Sequence, residues 1–445
     1  MSASGVIGKA RLVTLVRRAP AVLGSRLSDP AATETPALIL DAECVEHNCK
    51  ELRERVLAAG VGKVTIRPHV KSHKCPRLAV RQLELCGDVA QGVCAQKTCE
   101  AEAMAAGGIR DILLSNQVVS PLALRRLAAL VRDGCDITVV VDHEAQVRLA
   151  AEAVAAEAPG CRLGVLVEVD VGQRRCGVAT VDEAADLGAA VAASPGLELR
   201  GVQCYQGAAQ HIRTEEGRRE AVAGVADVAR RCVEAFAARG LPCGVVTGGG
   251  SGTYELEAAS GVFTEVQPGS AVVWDRDYSD NLSADGARAG DRVFRHALRV
   301  LATVISRCTA LPSPRVVLDC GLKSMSGESG LPSLVSVMAG PGGASAGAGA
   351  VGIKVVVLSD EHTQLEMDLD HPDVAAAVAA RRDGGEDEAT AVAAVAAERL
   401  PSVGSRMQLA PGHCDPTCNL HDFVLWSRDG VVEEVMEVSA RSPGL

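Results

Sequence analysis

From about residue 62 the chain alternates short runs of β-branched and aliphatic residues with longer Ala- and Leu-rich stretches whose apolar positions recur at helical spacing. The runs VTIRPHV (64–70), VAQGVC (89–94), DILLS (111–115), DITVVVD (136–142), RLGVLVEVD (162–170), LRGVQCY (199–205), GVVTG (244–248) and FTEVQPG (263–269) predict eight strands. SPLALRRLAALVRDG (120–134) and the stretch 213–240 predict helices between them. Strands alternating with helices imply βαβ units and a parallel sheet. Eight such repeats predict a (β/α)8 TIM-like barrel over about 36–290.

The pattern changes at about 291. VFRHALRVLATVISR, PRVVLDCG, GIKVVVLSDEHTQLEMD and FVLWSRDGVVEEVMEVSAR are strand-like, separated by Gly and Pro, with no alternating helices. A second, β-rich domain over 291–445 is expected, with PALILD in the 28–41 segment adding a strand to it. GPGGASAGAGAVG (340–352) has the composition of a flexible linker. The Ala- and charge-rich stretch at about 369–404 reads as an inserted helical piece or a mobile surface loop.

Composition narrows the function classes. The 445 residues are 47% hydrophobic, 2% aromatic and carry a net charge of −11. That acidic balance argues against nucleic acid, which calls for basic stripes and stacking aromatics. No apolar run is long enough to span a membrane. Sixteen cysteines without regular spacing read as buried thiols of an intracellular protein. Residues 1–28 contain Lys9, Arg11, Arg17, Arg18 and Arg26 but no acid. That composition suits an organelle transit peptide and equally an unstructured leader, so a cytoplasmic or organellar location is expected.

Against this acidic background, RPHVKSHK (67–74) concentrates positive charge at the end of the first predicted barrel strand. On an extended chain Thr65, Arg67, His69 and Lys71 share one face. After strands seven and eight come TGGGSGTY (247–254) and QPGS (267–270). That is where this fold commonly holds phosphate, and glycines let a backbone approach an anion closely. DVGQRRCG (170–177) and YQGAAQH (205–211) fall at strand ends too. A lysine facing a phosphate site suggests pyridoxal 5′-phosphate, whose aldehyde needs an amine and whose phosphate needs a cradle. Lys71 is the candidate, with His69 beside it. Positive neighbours Arg67, His73 and Lys74 would lower its pKa.

PHVKSHK, CAQKTCEAEAMAAGGIRDILLSN, VEVDVGQRRCGV, YQGAAQH, TGGGSGTY, EVQPGS and PGHCDPTCNLHD together resemble the D-threonine aldolase and D-serine dehydratase family. This is a fold-type III pyridoxal-phosphate group related to alanine racemase. The resemblance implies that Lys71 is the Schiff-base lysine and that Arg175 sits near the cofactor's phenolic oxygen. It also implies that Tyr205, Gly250, Ser251, Gly252, Gly269 and Ser270 cradle the phosphate. It gives His211 a role at the substrate hydroxyl, makes a D-3-hydroxy-amino acid the substrate, and implies a homodimer.

In HCDPT, His413 and Asp415 are two apart, so on an extended chain both point the same way. A histidine and a carboxylate with open positions suit a catalytic divalent ion. The resemblance assigns His-x-Asp with Mn²⁺ or Mg²⁺ to aldolases and His-x-Cys with Zn²⁺ to dehydratases. Asp415 therefore favours a D-threonine aldolase over a D-serine or 3-hydroxy-D-aspartate dehydratase. Two other readings of the segment stay open: a structural zinc knot of His413, Cys414, Cys418 and His421, or a turn cap before Pro416. A non-catalytic pyridoxal-phosphate-binding protein is the alternative from another class, and the long β-rich domain counts against it.

Overall fold

The computed structural model describes residues 20–288, 293–338 and 351–441. The first nineteen residues of the expected leader and most of the Gly/Ala linker lie outside them. The chain opens with strand β1 (Ala37–Asp41), followed by a helix over Ala42–Ala59 whose first turn is capped by the Asp41 side chain. Eight parallel strands follow: β2 (Thr65–Ile66), β3 (Val93–Ala95), β4 (Asp111–Leu114), β5 (Asp136–Val141), β6 (Leu163–Glu168), β7 (Leu197–Gln203), β8 (Val245–Gly248) and β9 (Glu265–Val266). Bridges Ile66–Ala90 and His69–Cys94 close β2 onto β3, so the sheet is a barrel. The helices start where side-chain caps allow. Ser120 caps Pro121–Arg132, Thr180 with Glu183 forms a capping box before Val181–Ala193, and Thr214 caps Glu215–Ala238.

Two barrel strands are shorter than the apolar runs predict. β2 and β9 each stop before an X-Pro pair, Arg67-Pro68 and Gln267-Pro268, and a 3₁₀ turn follows in both cases, Val70–Ser72 and Ser270–Val272. Proline lacks an N–H and cannot extend a ladder in both directions. Lys71 consequently sits on a turn at the barrel rim, not on the inward face of a strand as the alternation predicts. β3 begins at Val93, later than predicted, because residues 87–89 form a 3₁₀ turn and Gly92 takes a φ of +54°.

The barrel interior carries an apolar layer of Cys94, Leu113, Val140 and Leu166. Alongside it runs a buried polar chain. Arg67 Nε donates to Glu265 Oε2 at 2.7 Å and Nη1 to Asp111 Oδ1 at 2.6 Å. Glu265 accepts the Thr247 hydroxyl at 2.8 Å, and Gln267 links Thr247 to Gln203.

The remaining strands are β10 (Leu298–Cys308), β11 (Arg315–Leu318), β12 (Ser333–Met338), β13 (Ile353–Leu358), β14 (Thr363–Met367), β15 (Arg406–Ala410), β16 (Phe423–Arg428) and β17 (Val431–Glu437). With β1 they form one nine-stranded sheet along β13-β14-β11-β10-β1-β16-β17, with β15 joining β10 to β12. β1 pairs antiparallel to β10 and parallel to β16. The 369–404 stretch is a helical hairpin, Pro372–Asp383 and Glu388–Arg399, burying Val374, Val392, Val395 and Ala396 against the sheet. Residues 24–27, grouped with the leader by composition, are tied to the last hairpin: Gly24 and Leu27 donate to the carbonyls of Val432 and Gly430, and Leu27 is buried.

Candidate active site

A cavity of about 320 Å³ opens at the C-terminal rim of the barrel, where the nine-stranded sheet meets it. His69, Lys71, Arg175, Tyr205, His211, Ser270, His413 and Asp415 all line it. Thus eight of the residues singled out from sequence share one space, although they come from both parts of the chain. A second hollow of about 520 Å³, lined by Lys74, Lys97, Glu100 and Asn419, adjoins it through Lys71, His413 and Asp415.

Lys71 Nζ lies 3.1 Å from Asp415 Oδ2. The charge of Asp415, outweighing the cost of burial, holds the lysine above its ordinary range. This reverses the expectation of a pKa lowered by Arg67, His73 and Lys74. Arg67 is spent on Glu265 and Asp111 inside the barrel, and Lys74 pairs with Glu100 at 3.3 Å. His73 is buried against Gln82, and burial pushes it down to about 4, so it carries no charge near neutrality. His69 is similarly neutral: burial, reinforced by the Lys71 charge, pushes it to about 3. Its Nδ1 accepts the Lys71 N–H, and its Nε2 lies 3.2 Å from the Ser115 hydroxyl.

The glycine-rich loop after β8 meets the loop after β9 through the Ser251 hydroxyl, which accepts the Ala271 N–H at 2.9 Å. A Cβ on Gly250 would lie 2.9 Å from Tyr205 Oη and 2.6 Å from Gln210 Oε1. On Gly252 it would lie 2.5 Å from the Gln210 carbonyl oxygen. Only glycine permits this approach. Gly269 packs against the His69 backbone, and Ser270 opens the 3₁₀ turn that faces the cavity. Ser251 and Gly252 themselves line a separate hollow of about 230 Å³ beside Arg218 and Trp274. Arg175 is half exposed, with its guanidinium 5.8 Å from the Tyr205 ring centroid. Amine, the Ser270 turn and cation therefore surround one cavity, with Gly250 of the glycine-rich loop close against its Tyr205 and Gln210 side chains, an arrangement that fits pyridoxal phosphate.

His413 and Asp415 come together, but not by strand alternation. His413 is the N-cap of a short helix, Cys414–Cys418, and Asp415 lies in its first turn. His413 Nε2 is 3.7 Å from Asp415 Oδ1. The Asp415 side chain is largely buried, 16% exposed; burial raises its pKa, yet the charges of Lys71 and His413 prevail and hold it below the usual carboxylate range. Its Oδ1 has no hydrogen-bond partner among the described residues. An unpartnered buried carboxylate oxygen costs free energy, and a cation would satisfy it. The donor pair thus fits a hard divalent ion with open positions. Among the described residues no group of three or more His, Cys, Asp or Glu is arranged to hold a metal. The zinc knot is not assembled among the described residues, where His421 Nε2 is 2.7 Å from the Ser324 carbonyl.

Sequence reasoning missed the partners that hold these groups. Asp277 Oδ2 lies 2.6 Å from His211 Nδ1, and Glu328 Oε2 lies 2.7 Å from His413 Nδ1. Neither acid stands in a recognisable spacing to its histidine. The two acids of WDRDY (274–278) directly after the eighth barrel strand were the one available signal.

A (β/α)8 barrel with a rim lysine, a glycine-rich loop and an attached β domain carrying a His/Asp pair defines the fold-type III class. Residues 40–277 match the alanine racemase N-terminal domain family, and residues 297–426 match a putative serine dehydratase domain. The chain belongs to this family. It is 39% identical over 417 residues to a D-threonine aldolase of Arthrobacter sp., covering 93% of this chain and 94% of that one. It is 36% identical over 416 residues to a 3-hydroxy-D-aspartate aldolase of Paracoccus denitrificans (strain Pd 1222), covering 94% of each. The crystal structure of D-threonine aldolase from Filomicrobium marinum superposes with a TM-score of 0.79 at 36% identity, covering 95% of this chain and 99% of that one.

Proposed function

We propose that this protein is a D-threonine aldolase, cleaving D-threonine and related D-3-hydroxy-amino acids to glycine and an aldehyde with pyridoxal phosphate and a divalent metal, Mn²⁺ or Mg²⁺ in preference to Zn²⁺. The observation that carries the reading is Asp415. One of its oxygens faces the Lys71 ammonium and the other, unpartnered, faces His413. A single carboxylate so placed serves both the amine that would hold the cofactor and an ion that would meet the substrate hydroxyl.

Lys71 would hold the cofactor aldehyde, with Tyr205, Ser270 and the 250–252 backbone receiving its phosphate and Arg175 its phenolic oxygen. The bound cofactor would supply the sink for the electron pair released as Cα–Cβ breaks. His413 and Asp415 would hold the metal, which would supply Lewis acidity at the β-hydroxyl oxygen. His211, with Nδ1 engaged by Asp277, has Nε2 free to take the hydroxyl proton as general base. His69, neutral and buried, supports the Lys71 turn and adds no competing charge. Asp415, at the second position of His-x-Asp, supports the aldolase over a dehydratase: a carboxylate oxygen is a hard donor that suits Mn²⁺ or Mg²⁺, where a thiolate would suit Zn²⁺. The family resemblance carried by the motifs extends the proposal to a homodimer.

Borohydride reduction of the cofactor-loaded protein tests the lysine. The fixed label is expected on the peptide containing Lys71 and absent from Lys71→Ala. Equilibrium dialysis tests the metal pair: His413→Ala and Asp415→Ala should each weaken Mn²⁺ binding at least about tenfold. Label on another lysine, or unchanged Mn²⁺ binding, would overturn the corresponding assignment.

A further inference from the structure

We infer that Asp277 is a positioning residue for the reaction, orienting the His211 imidazole while its own segment sets the register of the His413–Asp415 loop. The inference rests on the proposed role of His211 as base and adds the group that makes that role possible.

His211 ends a short 3₁₀ turn, Ala208–His211, and its side chain is 49% exposed. Such a side chain is not held by packing alone. The turn is anchored one residue earlier, at buried Gln210. Its Nε2 donates to the Thr253 hydroxyl at 2.8 Å, its Oε1 accepts the Gly252 N–H at 2.9 Å, and its carbonyl accepts Asn281 Nδ2 at 3.0 Å. Among the described residues the ring itself has one polar anchor, Asp277 Oδ2 at 2.6 Å from Nδ1. A carboxylate accepting Nδ1–H fixes the tautomer that leaves the lone pair on Nε2. It also offsets the positive charge that develops as the ring takes a proton.

Asp277 is itself held in place. Its other oxygen pairs with Arg213, which also donates to the Asp277 carbonyl at 2.6 Å. The hydrogen bond to His211 is the largest influence keeping the carboxyl low, near 2, so it stays ionised at working pH. The same segment grips the other side of the cavity. Arg276 and Asp277 donate their backbone N–H groups to the carbonyls of Pro411 and Gly412, each at 3.2 Å. Asp275 Oδ2 accepts the Cys414 N–H at 3.2 Å. Residues 275–277 therefore touch the base through a side chain and the metal pair through the backbone on both sides of His413. A displacement there would shift both, and a misplacement of about 1 Å at reacting groups costs on the order of a hundredfold in rate.

Steady-state kinetics of the cofactor- and Mn²⁺-loaded holoenzyme on D-threonine tests this with Asp277→Asn, Asp277→Ala, Arg213→Gln, His211→Asn and the Asp277→Asn/His211→Asn pair. Asp277→Asn is expected to lower kcat about 10- to 100-fold, with KM, Mn²⁺ affinity and cofactor absorbance unchanged within about twofold, and Asp277→Ala to lose more. The double variant should be no slower than His211→Asn alone, because both changes remove one unit. Arg213→Gln separates orientation of the ring from simple pairing with Arg213 and should cost less than Asp277→Asn. Wild-type kcat in Asp277→Asn, with His211→Asn impaired, would overturn the inference and leave the base assignment standing. Additive losses in the double variant, or an equal loss in Arg213→Gln, would reduce Asp277 to a structural role. Wild-type kcat in His211→Asn would overturn the base and the inference together.

Discussion

Glu257 shows how one buried residue beneath the glycine-rich loop sets a pH dependence. It lies under the glycine-rich loop, with Oε1 accepting the Thr253 hydroxyl at 2.8 Å and Oε2 unpartnered among the described residues. Burial raises its pKa to about 7. An acid whose folded pKa lies above its unfolded value contributes stability that is complete below the unfolded value and lost as pH rises through the folded one. Glu257→Gln should therefore match wild type in thermal midpoint at pH 4 and exceed it at pH 8; equal midpoints at pH 8 would show that Glu257 is ionised without penalty. A second change tests the donor logic at Asp415. Asp415→Cys should lower Mn²⁺ affinity at least about tenfold while keeping Zn²⁺ binding, because a thiolate is a soft ligand. Equilibrium dialysis with both ions reads it. At this scale the motifs singled out residues that the fold brings to one cavity, as Lys71 with His413 and Asp415. It was not legible for Asp277 and Glu328, which reach their histidines through tertiary contacts that no local spacing records.

Whole elements were legible from the hydrophobic period, and their ends were not. All eight barrel strands stand where alternating runs place them, yet β2 and β9 shrink to two residues each because Pro68 and Pro268 follow. The same prolines create the turns that bring Lys71 and Ser270 to the cavity, so the misread boundary is where the site is built. The 369–404 stretch left helix and loop equally open, since its Ala-rich pattern has little amphipathic contrast. Its buried residues, Val374, Val392, Val395, Ala396 and Leu400 among them, decide for a docked hairpin. Val395→Asp places a charge in that contact and should destabilise the fold by about 3 kcal/mol. The hairpin lines neither the Lys71 cavity nor the hollow beside it, so kcat of the folded variant should not change. Thermal unfolding and kinetics on the same sample check both parts; a fall in kcat without a fall in stability would assign the hairpin a part in the site.

At the scale of the molecule, the chain passes through the nine-stranded sheet at β1, winds through the barrel and returns to the sheet. The sheet is thereby joined to the barrel on both sides of it in sequence, by β1 before and β10 after, which is how residues as distant as Lys71 and Asp415 come to 3.1 Å. That return was readable only in outline from PALILD. The pairing of β1 parallel to β16 depends on contacts across nearly the whole chain. No helix among the described residues is long and apolar enough to cross a membrane. A homodimer would double the 45.9 kDa chain, and sedimentation equilibrium at micromolar concentration should return twice that mass. A monomer mass with full activity would remove the partner from the account.

The central claim is the reaction, and product analysis tests it most directly. The metal-stripped, cofactor-loaded protein would be given D-threonine, D-serine and L-threonine, with and without Mn²⁺ or Zn²⁺. Glycine and acetaldehyde from D-threonine, dependent on Mn²⁺ and absent with L-threonine, are the expected result. A 2-oxo acid with ammonia would contradict the account and turn the His413–Asp415 pair into the Lewis-acid site of a dehydratase.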